Sequence, residues 1–222
     1  MAEASARRSK TAEASVRRSD TAEAGAGRPE TAKASAWRPG TAGTNARPLP
    51  TSPDPATFRK VLSNFCSGVV IVTTVDDQGP TGMTCQSFSS LSLDPPLVLL
   101  CPGKGSTTWP RIAATGVFCV NILAEHQQAD CWRFASKGAD KFDGTSWHAT
   151  PGGSPVLDGV IGYVDCRVEA VHDGGDHHIV VGRVLDLAVT STARPLLYFR
   201  NSHPRVEDPH AGHIPFLGAP DW

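Results

Sequence analysis

Hydrophobic positions fall into two periods along this chain, one helical and one alternating, and both begin only after residue 53. Phe58, Val61, Leu62 and Phe65 recur at helical spacing behind Asp54-Pro55. An aspartate cap followed by a proline at the first helical position suits that start, so a helix with one apolar stripe is predicted, ended by Gly68. Val69 to Val75 is β-branched almost throughout and reads as a strand. The DDQG turn then leads into a second strand, from Pro80 to about Phe88. Further strands are predicted over 97–101, 117–123, 160–171, 177–190 and 196–200. In the fifth of these seven, Val160, Val164, Cys166 and Val168 face one way and Asp165, Arg167 and Glu169 the other. Two more helices are expected, one capped by Ser106 and running to Ala114, the other from Glu125 to Ser136 with Ala129, Trp132 and Phe134 on or near its buried side. Residues 141–159, rich in glycine and turn formers, read as a loop. Seven strands with few intervening helices, mostly joined by turns, predict a mainly β domain: a closed or nearly closed antiparallel barrel.

The first fifty residues are different. They repeat a ten-residue unit (TAEASVRRSD, TAEAGAGRPE, TAKASAWRPG, TAGTNARPLP), with nine Lys/Arg, five Asp/Glu and Trp37 as the one aromatic. Stacked copies would bury little apolar surface against the entropy of ordering them, so disorder is predicted for residues 1–50. One domain of about 150 residues follows over 53–203, long enough for a substantial core, and residues 204–222 form a C-terminal tail. From residue 53 onward, twelve Lys/Arg against seventeen Asp/Glu give a net charge of −5. That balance speaks against a nucleic-acid partner, because a phosphate-backbone binder concentrates cations. No apolar stretch has the length of a membrane span or of a secretory signal. The six cysteines lack metal-ligand spacing and sit mostly among apolar neighbours, as buried thiols do in a reducing cytoplasm.

Three stretches carry candidate chemistry. In TGMTCQSFSSLSLDPP, Gly82 permits close backbone approach and Thr84, Ser87, Ser89, Ser90 and Ser92 crowd hydroxyls onto one segment. An edge strand with a polar face explains the same letters. In Pro102-Gly103-Lys104-Gly105-Ser106-Thr107, glycines, a cation and hydroxyls at a helix start suit a phosphate, and equally a capped helix without a ligand. In Gly174-Gly175-Asp176-His177-His178, a tight turn sets His177 at a strand entrance with Asp176 beside it, where a histidine is also an ordinary surface residue. GxGxxG, GxxxxGK[ST] and the G-x-S-x-G elbow are all missing from the chain, and its histidines lack zinc spacing.

Taken together, FCSGVVIVTT, GMTCQSFSSLSLDPPLVLLC, KGSTTW, GVFCVNILAEHQ, the FDG–W element, GGSPVLDG, GDHHIVVGRV and PLLYFR resemble, in order, the flavin reductase-like domain family, the small reductase components of two-component flavin monooxygenases. The resemblance spans Phe58 to Arg200. It implies an FMN-binding split β-barrel, antiparallel and Greek-key-like with a few peripheral helices, working as a homodimer that reduces free FMN or FAD with NADH or NADPH for a separate monooxygenase. By the same resemblance the strand from Gly82 to Ser90 lies along the flavin, with Met83, Thr84, Cys85 and Gln86 lining its ring and Ser87 next to them. Ser89 and Ser90 approach the ribityl-phosphate end. The turn holding Lys104, Ser106 and Thr107 meets the phosphate. His177 lies near the nicotinamide, with Tyr198 and Arg200 near the same pocket. The fold also admits a non-catalytic flavin- or haem-binding module, or a pyridoxamine-phosphate-oxidase-like enzyme.

Overall fold

The computed structural model describes residues 52–138 and 140–207. The disorder expected for residues 1–50 and most of the expected tail lie outside the described residues. In chain order the elements are α1 (Pro55–Leu62), β1 (Ser67–Gly68), β2 (Val70–Asp76), β3 (Gly79–Cys85), β4 (Ser89–Leu93), β5 (Pro96–Leu100), α2 (Trp109–Thr115), β6 (Val117–Ile122), α3 (Gln128–Ala135), β7 (Trp147–Ala149), β8 (Pro155–Leu157), β9 (Gly162–Gly174), β10 (His177–Val189) and β11 (Leu197–Tyr198). Seven of the strands form one antiparallel sheet in the order β3-β2-β6-β9-β10-β5-β4. Its two edge strands, β3 and β4, are consecutive in sequence and joined by residues 86–88 alone.

The sheet is buried on both faces at β2 and β6, next to its β3 edge. Val70 and Val72 point into a cluster with Met83, Leu100, Ile112 and Phe118. Val69 and Ile71 point the other way, into a cluster with Leu123, Phe134, Val156 and Leu157. A strand with a core on each side reads as a continuous apolar run, which is why 69–75 shows no alternation. Asn121 pins the second cover in place: its Nδ2 reaches Ile71 O, Thr73 Oγ1 and Pro155 O, and its Oδ1 accepts from Leu157 N at 2.8 Å. Gly182 lets Phe118 lie flat against β10, since a Cβ there would meet the ring at 2.6 Å.

Several expectations are corrected. The helix forms, and Asp54 Oδ1 caps it by accepting from Ala56 N and Thr57 N at 3.0 Å each. Its apolar stripe is not part of the core, however: Phe58, Val61 and Leu62 are exposed, and Phe65 just beyond is 80% exposed. The predicted strand over 80–88 breaks after Cys85, and the polar serines start a separate edge strand, β4, that hairpins through Asp94-Pro95 into β5. On α3 the buried side chains are Cys131 and Phe134, while Trp132 stays exposed and meets His203 edge-on. The loop over 141–159 contains the small β7–β8 hairpin. Asp165 is only 1% exposed, although it alternates with Arg167 and Glu169, because the Thr150–Ser154 turn closes over that part of β9.

Candidate functional site

The end of β3, the loop after β5, the segment after α3 and the entrance of β10 surround one cleft of about 520 Å³, within the roughly 300–1,000 Å³ usual for small-molecule sites. Met83, Thr84, Cys85, Gln86 and Ser87 form one wall, and Cys101, Pro102 and Gly103 with Gly105 to Thr108 form the next. Phe134 to Lys137 and Lys141 close a third side, and His177 stands at the fourth.

Internal hydrogen bonds decide which polar groups remain for a ligand. Thr84 Oγ1 donates to Cys131 O at 2.7 Å, fastening β3 to α3. Ser87 Oγ accepts from Cys101 N at 3.0 Å and donates to Cys101 O at 3.1 Å, tying the end of β3 to the end of β5. Cys85 Sγ lies 3.2 Å from that same hydroxyl. Ser106 Oγ accepts from Thr108 N and Trp109 N, so the amides at the start of α2 are already taken. Among the described residues, the side chains of Gln86 and Thr107 make no such internal bond and stay free for a ligand.

His177 is fixed from two directions. Its Nδ1 lies 2.8 Å from Asp176 Oδ1, and its backbone bridges to Gly103. Lys104 N donates to Asp176 O and His178 N to Pro102 O, both at 2.9 Å, so the β9–β10 turn is stitched to the 102–104 loop. Neighbouring residues point apart along a strand, but Asp176 belongs to the turn, which lets it face its neighbour. The hydrogen bond with His177 holds the Asp176 carboxyl below the usual carboxylate range.

Charge in the cleft is one-signed. Lys137 and Lys141 line it and no carboxylate does, in a domain whose net charge is negative. Lys141 Nζ donates to Phe134 O at 3.0 Å and to Gly82 O at 3.1 Å, with Thr108 Oγ1 at 3.5 Å, and burial lowers its ammonium from the ordinary lysine value. Neither lysine was singled out in the sequence; a lone lysine in a loop gives no periodic signal.

Of the residues marked from the sequence, Met83 through Ser87, Ser106, Thr107 and His177 come together here. Gly82 stands behind the wall: a Cβ on it would press on the Phe134 ring and Val72 O at 3.0 Å, so this glycine serves packing while its carbonyl holds Lys141. Lys104 turns away from the cleft to pair with Asp173 at 2.5 Å. Ser89 and Ser90 lie exposed on β4, outside the cleft. Tyr198 donates to Asn201 and Arg200 Nε to Asn64 Oδ1, both at 2.8 Å, at a distinct place on the surface.

Residues 62–207 match the family model of the flavin reductase like domain. The chain belongs to that family. It is 52% identical over 154 residues to the reductase subunit HsaB of a flavin-dependent monooxygenase from Rhodococcus jostii, an alignment covering 69% of this chain and 79% of that one. It superposes with a TM-score of 0.68 on nitrilotriacetate monooxygenase component B from Mycobacterium thermoresistibile, at 48% identity over 74% of this chain and 94% of that one. It also superposes, with a TM-score of 0.68 and 32% identity, on the NADH:FAD oxidoreductase SgcE6 of Streptomyces globisporus solved with NAD and FAD fragments, covering 72% and 96% of the two chains. As a family member the chain is an NAD(P)H:flavin oxidoreductase, with FMN or FAD and NADH or NADPH as its cofactors. The cleft fits such ligands. It is large enough, bordered by two cations and bare of carboxylates where a phosphorylated ring system would sit.

Proposed function

We propose that this flavin reductase takes FMN or FAD into the cleft between β3, the 101–108 loop and the 134–141 segment, reduces it with NADH or NADPH, and releases it to a separate monooxygenase. The observation that carries this reading is the positively lined, carboxylate-free cleft with an oriented histidine at its mouth. Relatives described as monooxygenase reductase components support the delivery step. The bound cofactors supply the chemistry, a hydride passing from nicotinamide to flavin N5. The protein's part is to hold the two rings in contact. In this reading Met83–Ser87 bound the flavin ring, Gln86 and Thr107 offer it their free polar groups, and Lys137 and Lys141 compensate its negative charge. His177, with its Nδ1 anchored on Asp176, directs its other ring nitrogen toward the nicotinamide amide.

The same reading includes a split barrel closed across β3 and β4, which three residues hold close together, and a homodimer. Exposed apolar side chains on β4 and β10, with Leu93, Leu187 and Val189 each more than half exposed, and the stripe of α1 support the dimer. Ser89, Ser90, Tyr198 and Arg200, outside the cleft of their own chain, would serve a site only across such an interface. The free thiols of Cys85, Cys101, Cys119, Cys131 and Cys166 suit a cytoplasmic location.

Steady-state turnover with each pairing of FMN or FAD and NADH or NADPH tests the function. Loss of nicotinamide absorbance above the protein-free rate is expected with at least one pair. Flavin binding without turnover in all four would point instead to a non-catalytic binding module.

A further inference from the structure

Lys141 is a cation with no counter-ion. Its ammonium is half-buried between β3, α3 and the start of α2, and among the described residues no carboxylate lies within ion-pair distance of it. Three acceptors, all of them neutral, stand around its three protons. A lysine whose donors are spent in this way is a poor clamp for a phosphate, which needs N–H groups of its own. What remains available to a ligand is the charge itself, fixed in place at the cleft wall and poorly screened by solvent.

Flavin reduction creates a charge for it to act on. The nicotinamide gives up a hydride and becomes a cation; the flavin ring gains two electrons and one proton and turns from neutral to anionic. A fixed positive charge in the wall of a cleft that receives the ring stabilises that change, and acts on the transition state in the same direction. Resting on the flavin reductase reading, we infer that Lys141 is the electrostatic residue that makes this cleft bind reduced flavin more tightly than oxidised flavin. The enzyme then holds its product more firmly than its substrate, so product release is slow until a partner takes the flavin.

Riboflavin is the discriminating probe, because it lacks the phosphate and any effect of charge must come from the ring. Dissociation constants for oxidised and for anaerobically reduced riboflavin are measured with the full chain, Lys141→Met and Lys141→Arg. The full chain is expected to favour the reduced form by about tenfold, the size of one unit charge acting across about 12 Å at an effective dielectric constant near 20. Lys141→Met should abolish that ratio and Lys141→Arg retain most of it. A loosened cleft wall weakens both redox forms alike and leaves the ratio unmoved, so a purely structural role for Lys141 would show as an unchanged ratio and overturn the inference. If Lys141→Met does not fold, the full chain still decides: equal affinity for the two forms also overturns it. Failure to bind either form of riboflavin or FMN would instead count against the flavin site itself.

Discussion

At the scale of single residues, the proposed hydride transfer turns on His177. One ring nitrogen is held at 2.8 Å by Asp176, and Gly103 leaves open space around the other, whose nearest approach by a Cβ there would be 3.6 Å. A histidine anchored this way presents a defined edge to whatever enters the cleft. His177→Ala should therefore raise the apparent KM for NAD(P)H and slow flavin reduction by about tenfold or more, with flavin affinity nearly unchanged. Stopped-flow reduction at the parental rate would remove His177 from that role. A second residue, Asp165, bears on stability. Its carboxyl is buried beneath Gly152, whose missing Cβ would lie 2.6 Å from Asp165 Oδ2, and neither carboxyl oxygen makes a well-formed hydrogen bond. Burial raises this carboxyl above the usual carboxylate range, against the tempering contacts of Thr150, Gly152 and Ser154. The fold thus favours the protonated form. Its contribution to stability is full in acid and is lost as pH rises through the raised folded value. Asp165→Asn should be the more stable protein at about pH 8, by on the order of 1 kcal/mol, with the gap closing toward acid. Thermal melts across pH measure this, and a variant less stable at the alkaline end would contradict it.

At the scale of elements, the site depends on how neighbouring pieces are fastened. Asp76 and Arg111 form a two-pronged pair at 2.6 Å that secures α2 to the β2–β3 turn, and Asn121 secures the Pro155–Leu157 strand to the sheet. Asn121 is buried, and removing its amide strands Leu157 N, while Pro155 O keeps the Thr73 hydroxyl as a donor. Asn121→Ala should cost about 2–3 kcal/mol, read as a lowered denaturant midpoint with an unchanged slope. Most of these elements were legible in the sequence. The β-branched run at 70–75, the DDQG turn, the Asp54 cap and the long 177–190 strand appear within a residue or two of their predicted bounds. The pattern failed where a single stretch had to serve two strands. From 80 to 93 it carries small polar residues on both sides of the break, so no change of period marks where β3 ends and β4 begins. It failed again on α3, where helical spacing put Trp132 inward with Phe134; Phe134 packs against Phe142, their rings 5.0 Å apart, and Trp132 stays outside.

At the scale of the whole molecule, apolar surface is left over. Leu91, Leu93, Leu185, Leu187 and Val189 remain exposed on β4 and β10, large apolar side chains of the kind that partner surfaces cover. In the proposed homodimer these side chains are covered. Leu93→Asp combined with Leu187→Asp should then halve the mass seen by light scattering at micromolar concentration while leaving far-ultraviolet circular dichroism unchanged. A double variant of parental mass would place the interface elsewhere.

By itself the sequence determined the mainly β character, the polar β3 wall and the glycine-flanked turn with its histidine. Each of these is encoded locally, in side-chain period and turn chemistry, where neighbours along the chain supply the relevant environment. Only the tertiary structure decided which charges face the cleft. Lys141 meets Gly82 across 59 residues of chain, while Lys104, inside the expected phosphate turn, is drawn outward by Asp173 across 69. A charge takes its partner from whatever the fold brings within a few ångströms, and no periodicity along the chain records that distance.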